Sequence, residues 1–276
     1  KISVGPPFFN YTFVPLFVPI FLAMPLGQVL AWKRGDLLGA AQRLVVALIV
    51  AICGGLILAA MQGEPVISAV FAGLSLFVIV GAFVEIWGRI SGGGLSPSVM
   101  FARATGLPWS AWGTAIAHAG VGVSLLGLAA TGWGVEKILA MRPGDHVAVG
   151  PYEVTLDKVE PRPGPNYDET VAHMTIRSGG NAISTIEPSR KFYRARQMTT
   201  TDAGLRTFSL GQIYAVVTEQ NSNGEIDVRL YWKPYVALIW IGAIIMALGG
   251  AISLADRRLR VGVARRARQA AMQPAE

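Results

Sequence analysis

Five apolar stretches, at about residues 9–31, 43–61, 66–88, 112–133 and 234–254, each reach the roughly 20 residues that a helix needs to cross a bilayer. Hydrocarbon offers no water to backbone N–H and C=O groups, so such stretches are restricted to helices that satisfy those groups internally. The sequence is 52% hydrophobic and only 15% charged, which argues against a soluble domain. The expected fold is a polytopic α-helical membrane protein of about five transmembrane helices with an inserted all-β domain. Residues 1–134 are read as four spans with short loops, 135–233 as the β domain, 234–256 as the last span and 257–276 as a basic tail.

Basic residues orient these spans. Lys33, Arg34 and Arg43 flank the first connection, and Arg89 and Arg103 lie in the third. Arg257, Arg258, Arg260, Arg265, Arg266 and Arg268 form the tail. The positive-inside rule makes these three regions cytoplasmic. The turn at 62–65 and the insert from about 135 to 233 then face the other side, and alternation is kept at every crossing. Acidic and basic residues nearly balance within the insert, so the net charge of +7 resides on the cytoplasmic side. That excess suits anionic membrane lipid and does not support nucleic-acid binding.

Three histidines occur, and only His118 lies in a span. An imidazole in hydrocarbon must be hydrogen-bonded or must ligate a metal or haem, which makes it a functional candidate. With a helix starting near Trp112, His118 lies about 9 Å inside the cytoplasmic end. Thr114, Ala115, Val121 and Gly122 share its face. Such small neighbours leave a groove for a flat macrocycle, or equally permit another helix to pack closely with His118 bonded across the interface. Glu85 lies one turn before Arg89 and is read as its ion-pair partner. The seven tryptophans (Trp32, Trp87, Trp109, Trp112, Trp133, Trp232, Trp240) mostly mark membrane interfaces. Pro15, Pro19 and Pro25 are expected to kink the first helix.

The insert alternates as β structure does. Strand candidates are 147–156, 172–177, 181–186, 212–218 and 226–231, with hairpin turns at Gly179-Gly180-Asn181 and at 221–224. About six short strands suggest a small antiparallel barrel or sandwich. His146 and His173 lack Cys or carboxylate at metal-ligand spacing and are read as solvated strand or turn residues. The run Arg190 to Arg196 carries guanidiniums suited to carboxylates, either haem propionates or an acidic partner; alternatively it is a charged strand edge that discourages aggregation. Cys53 is the single cysteine and lies in the second apolar stretch, so the insert has no disulfide. Without C-x-x-C-H the chain carries no covalently attached c-type haem. Residue 1 is Lys with no signal peptide ahead of the first span, which is read as a fragment, a processed product or a split-gene subunit.

Several motifs resemble, in order along nearly the whole chain, the C-terminal part of the CcmF family of cytochrome c maturation proteins. They are Val4–Asn10 (VGPPFFN), Ala117–Gly120 (AHAG), Met141–Asp145 (MRPGD), Gly164–Tyr167 (GPNY), Lys191–Tyr193 (KFY), Tyr231–Pro234 (YWKP), Trp240–Gly250 and Asp256–Arg258. The resemblance implies a bacterial inner (plasma) membrane protein, multi-pass, with a cytoplasmic C-terminus and a periplasmic β domain. It implies membership of the haem lyase complex that attaches haem to apocytochrome c. His118 matches the second of two transmembrane histidines that hold a b-type haem in the family, and is thereby the expected axial ligand of the haem iron. The other axial histidine, the tryptophan-rich WWD segment and its two flanking histidines belong to the family's N-terminal portion and have no counterpart in this sequence.

The resulting expectation is part of a membrane haem lyase, with haem b as cofactor and the site of haem delivery outside this chain. No catalytic residue is assigned. Expected partners are the N-terminal portion of the same protein, the haem chaperone, the apocytochrome-presenting subunits, apocytochrome c and membrane lipid, with quinol a candidate electron donor. Two readings from other classes stay open: a non-catalytic assembly scaffold in which His118 only joins helices, and a transporter, which would need a second pseudo-symmetric half.

Overall fold

The computed structural model describes residues 5–30, 36–92, 94–221 and 223–256. Lys33, Arg34 and the basic tail lie outside the described residues. The chain divides into a helical unit, Lys1–Ala129 with Leu238–Glu276, and a second unit, Ala130–Ala237.

The helical unit contains α1 (Pro6–Val29), α2 (Leu37–Arg43), α3 (Val45–Gln62), α4 (Val66–Ile90), α5 (Pro97–Gly106), α6 (Trp109–Ala130) and α7 (Ala237–Leu254). By length and composition five of them can cross a membrane, namely α1, α3, α4, α6 and α7. The protein is a membrane protein with an inserted β domain. The short helices α2 and α5 were not expected, and local chemistry accounts for both. Asp36 caps α2 by accepting a bond from the Gly39 N–H at 2.9 Å. Pro97 occupies the first turn of α5, where its missing N–H costs nothing. The Trp112 indole donates to the Ala104 carbonyl near the end of α5 at 3.1 Å. The expected Glu85–Arg89 ion pair forms on α4.

Small residues on α4 receive its neighbours. A side chain on Gly73 would come within 2.9 Å of the Ala51 carbonyl of α3. One on Gly81 would meet Pro25 of α1 at 2.6 Å. Without lipid-excluding apolar collapse, close van der Waals approach is what associates helices in a bilayer, and glycine permits it. The outward faces are apolar: Phe9, Phe13 and Phe17 of α1, stacked one turn apart at 5.7 and 6.0 Å, are all exposed, as lipid contact requires. Helix α1 continues across Pro15, Pro19 and Pro25.

The second unit is a sandwich of ten strands. They are β1 (Val135–Met141), β2 (His146–Val149), β3 (Tyr152–Pro163), β4 (Tyr167–Ser178), β5 (Asn181–Ile186), β6 (Ser189–Tyr193), β7 (Met198–Asp202), β8 (Gly204–Phe208), β9 (Gly211–Gln220) and β10 (Ile226–Lys233). One sheet runs β1-β10-β9-β8, and the other β2-β3-β4-β6-β7 with β5 paired to β4. Between them lie Met141, Val154, Leu156, Met174, Ile176, Ile213, Val217 and Leu230, all 1% exposed or less. Each such side chain contributes about 1.5–3 kcal/mol of burial. The Gly179-Gly180 turn joins β4 to β5 with φ of 56° and 83°, the positive values that a two-residue hairpin needs. Trp232 belongs to the sandwich. It packs against this core, edge to face with Tyr152 at 5.0 Å.

Candidate functional site

Helix α6 carries His118, and its sequence divides it into three faces. Gly113, Ala117, Gly120, Ser124 and Gly127 recur at spacings of three and four, so they form one stripe. That stripe meets α7, which runs antiparallel: a Cβ on Gly113 would lie 2.5 Å from the Ser253 nitrogen, and one on Gly127 2.7 Å from the Ile239 nitrogen. Ser124 Oγ donates to the Ile239 carbonyl at 2.9 Å. A second face, with Ala115 and Ala119 buried, brings Gly122 onto α4, where a Cβ would meet the Ser75 carbonyl at 2.9 Å. His118 belongs to the third arc, with Thr114 and Val121, and is partly exposed.

His118 Nδ1 lies 2.8 Å from the carbonyl of Thr114, one turn earlier. A carbonyl can only accept, so Nδ1 carries the proton, and Nε2 has no hydrogen-bond partner among the described residues. Haem- and metal-ligating histidines use this arrangement: the second ring nitrogen donates to a carbonyl, which fixes tautomer and ring orientation. The residues present therefore fit an axial ligand.

Two expectations about the surroundings are corrected. Of the small residues near His118, Ala115 is buried and Gly122 is taken up by contact with α4, so these two do not line an open groove. Nor is His118 bonded across a helix interface, since its partner is its own helix. Helix α6 also begins at Trp109 instead of Trp112, so His118 lies about 14 Å from the first residue at roughly 1.5 Å per residue.

The β unit holds the other candidates. His146 is exposed, 3.6 Å from Glu153. His173 departs from the solvated reading: Nε2 lies 2.9 Å from Glu160 and Nδ1 3.2 Å from Glu187. Sequence spacing missed this because the partners come from β3 and from the β5–β6 connection. The pair belongs to a band of alternating charge. Lys158 bonds Glu160 at 2.7 Å, and Arg162 bonds the buried Glu169 at 2.5 Å, which also accepts from Ser189 at 3.1 Å. Lys158, with His173, holds the Glu160 carboxyl below its usual range. Among the described residues no group of three or more His, Cys, Asp or Glu is arranged to hold a metal.

The basic run at Arg190 is not a strand edge. Strand β6 lies between β4 and the threonine-rich β7. Lys191 bonds Asp202, and Arg194 grips Asp168 through two guanidinium nitrogens. These bonds raise both cations' pKa values and lower that of Asp168. Much of the charge expected to meet partner carboxylates is thus neutralised within the sheet.

Fold and site together define a polytopic membrane protein with a β sandwich inserted between two glycine-packed spans, one of which carries a tautomer-fixed histidine. Residues 132–234 match the family described as CcmF C-terminal beta-sandwich. The chain is 44% identical over 98% of its length to the cytochrome c-type biogenesis protein CycK of Rhizobium meliloti. It is 32% identical over 98% of its length to the cytochrome c-type biogenesis protein CcmF of Pseudomonas aeruginosa. The solved structure of a cytochrome c heme lyase CcmF shares the fold, with a TM-score of 0.69 over 91% of this chain and 41% of that chain, at 19% identity. The chain is a CcmF-like C-terminal portion, and it spans about two fifths of the length of these relatives, 40% and 41% for the two named.

Proposed function

We propose that the chain is the C-terminal part of a membrane haem lyase for cytochrome c biogenesis and that His118 is an axial ligand of a b-type haem. The observation that carries this is the bond from His118 Nδ1 to Thr114 O, which presents Nε2 as an oriented nitrogen on a helix wall. The Thr114 carbonyl holds the ring in one tautomer, and contacts of α6 with α4 and α7 fix the wall itself. The second axial histidine is expected from the N-terminal portion of the protein. When bound, such a haem supplies a one-electron redox centre able to keep the delivered haem ferrous for thioether formation, its potential set by axial ligation and low-dielectric surroundings. In this reading the C-terminus is cytoplasmic and the β unit is periplasmic in the inner membrane. There the β unit docks the haem chaperone or the apocytochrome-presenting subunit, and quinol is the candidate reductant.

The test is an optical spectrum of the purified complex. A b-type signal is expected in the parent protein and a sharp loss in His118→Ala, with c-type cytochrome yield falling alongside. Loss of cytochrome yield with an unchanged b-type signal would replace this reading by that of a scaffold.

A further inference from the structure

Helix α6 takes a cap from a distant residue. The residue before it is Pro108, whose side chain accepts no hydrogen bond, although the first four N–H groups of any helix lack an intrahelical acceptor. The acceptor comes from 146 residues away: Asp256, just past the end of α7, takes the Ser110 N–H on Oδ2 at 3.1 Å. Asp256 is 7% exposed, and a carboxylate there also meets the positive end of the α6 dipole. We propose that Asp256 is a positioning residue for His118. The inference rests on the reading of His118 as a haem ligand.

The geometry points to a two-pin arrangement. The glycine stripe lets α6 and α7 approach closely but offers few directional contacts to stop one sliding along the other. Asp256 to Ser110 fixes one end of the pair and Ser124 to Ile239 the other. His118 lies between the pins, about 12 Å from Ser110 and about 9 Å from Ser124 at 1.5 Å per residue. Its height in the bilayer, and hence the height of Nε2, is set by both. Releasing the Asp256 pin frees the first two turns of α6, including Thr114, whose carbonyl orients the imidazole.

The test uses the full membrane complex with Asp256→Ala, Asp256→Asn, Ser110→Pro and the Ala/Pro double variant, beside His118→Ala. Asparagine keeps an oxygen for the Ser110 N–H. Proline at 110 deletes that donor at a position in the first helical turn where proline is tolerated. Asp256→Ala and Ser110→Pro should each speed amide exchange across 109–114. Each should also shift the low-spin haem EPR signature and midpoint potential, or lower haem content several-fold, and the double variant should be no worse than either. Asp256→Asn should stay close to the parent in exchange, haem signature, potential and content, which also covers the case in which Asp256→Ala does not accumulate. Unchanged exchange in Asp256→Ala overturns the proposal, as does faster exchange with unaltered haem signature, potential and content. Additive effects of the two substitutions overturn it too. If His118→Ala leaves the haem signal intact, the ligand reading fails and the positioning role falls with it. A normal His118 dependence with no Asp256 effect on the haem overturns the positioning role alone.

Discussion

The Gly242 carbonyl of α7 occupies the space that a side chain on Gly120 of α6 would need, since a Cβ there would lie 2.8 Å from that oxygen and 2.7 Å from the Met246 nitrogen. Both are backbone atoms and cannot rotate away. Gly120→Ala is therefore expected to force the helices apart and destabilise the protein by about 1–3 kcal/mol. Gly250→Ala, where nothing lies within 4 Å, should be neutral or stabilising by about 0.5–1 kcal/mol through helix propensity. Thermal unfolding of the detergent-solubilised protein measures both, and equal effects would refute the packing argument.

Replacing His118 by glycine removes the ring while leaving the Thr114 carbonyl in place. Added imidazole is expected to restore part of the b-type spectrum, because the free ligand can donate to the same carbonyl. A spectrum that stays lost at every imidazole concentration would assign His118 to helix packing.

Reporter fusions test orientation. Fusions after Arg43 and Arg103 should report cytoplasm, and fusions at Gly63 and Asn223 should report periplasm. A cytoplasmic signal at Asn223 would invert the arrangement.

Glu169 is buried, and Arg162 is its nearest cation. Removing one member of a buried pair costs about 3–5 kcal/mol. The guanidinium is half exposed and Lys191 stands 3.9 Å from Glu169, so Arg162→Ala should cost less than that. Replacing both by leucine should recover much of that loss. A urea series on the full protein decides the matter: a double variant no better than the single one would show that the charge is not what the site tolerates poorly.

Acid should weaken the β unit. Lys158 with His173, and Arg194, hold Glu160 and Asp168 below their ordinary values. A carboxylate whose folded pKa is depressed stabilises the fold above its unfolded value and loses that contribution as pH falls through the folded value. Unfolding temperature should stay level from neutral pH down to the ordinary carboxylate range, about pH 4, and decline below it. Glu160→Gln should flatten the decline; an unaltered profile in both Glu160→Gln and Asp168→Asn would place the acid sensitivity elsewhere.

Length and apolarity made the five spans legible, because a bilayer demands both continuously. The strands β4, β5, β9 and β10 were legible for a related reason: each alternates or follows a clear glycine or asparagine turn. Strands β1, β6, β7 and β8 were not. Val135–Met141 does not alternate cleanly, β7 is Met-Thr-Thr-Thr-Asp, and β6 lies inside a basic run whose Lys191 and Arg194 pair with Asp202 and Asp168 on neighbouring strands. Pairings of that kind are long-range and leave no local signature. His118 was visible as a lone imidazole in hydrocarbon, but its bond to Thr114 and the cap from Asp256 depend on helix phase and on a residue 146 positions from Ser110.

Strand β1 pairs with β10 along its whole length, from Val135 opposite Trp232 to Met141 opposite Ile226. The polypeptide therefore leaves and rejoins the helical unit through two adjacent strands, although about a hundred residues intervene. A floppy connection of that length would burden the α6–α7 pairing with roughly 3 kcal/mol more closure entropy than a four-residue turn. By zipping its own ends together the sandwich shortens the effective link between α6 and α7 to that of a tight hairpin, so residues inserted within it would add little closure entropy to the pairing of the helix that carries the imidazole.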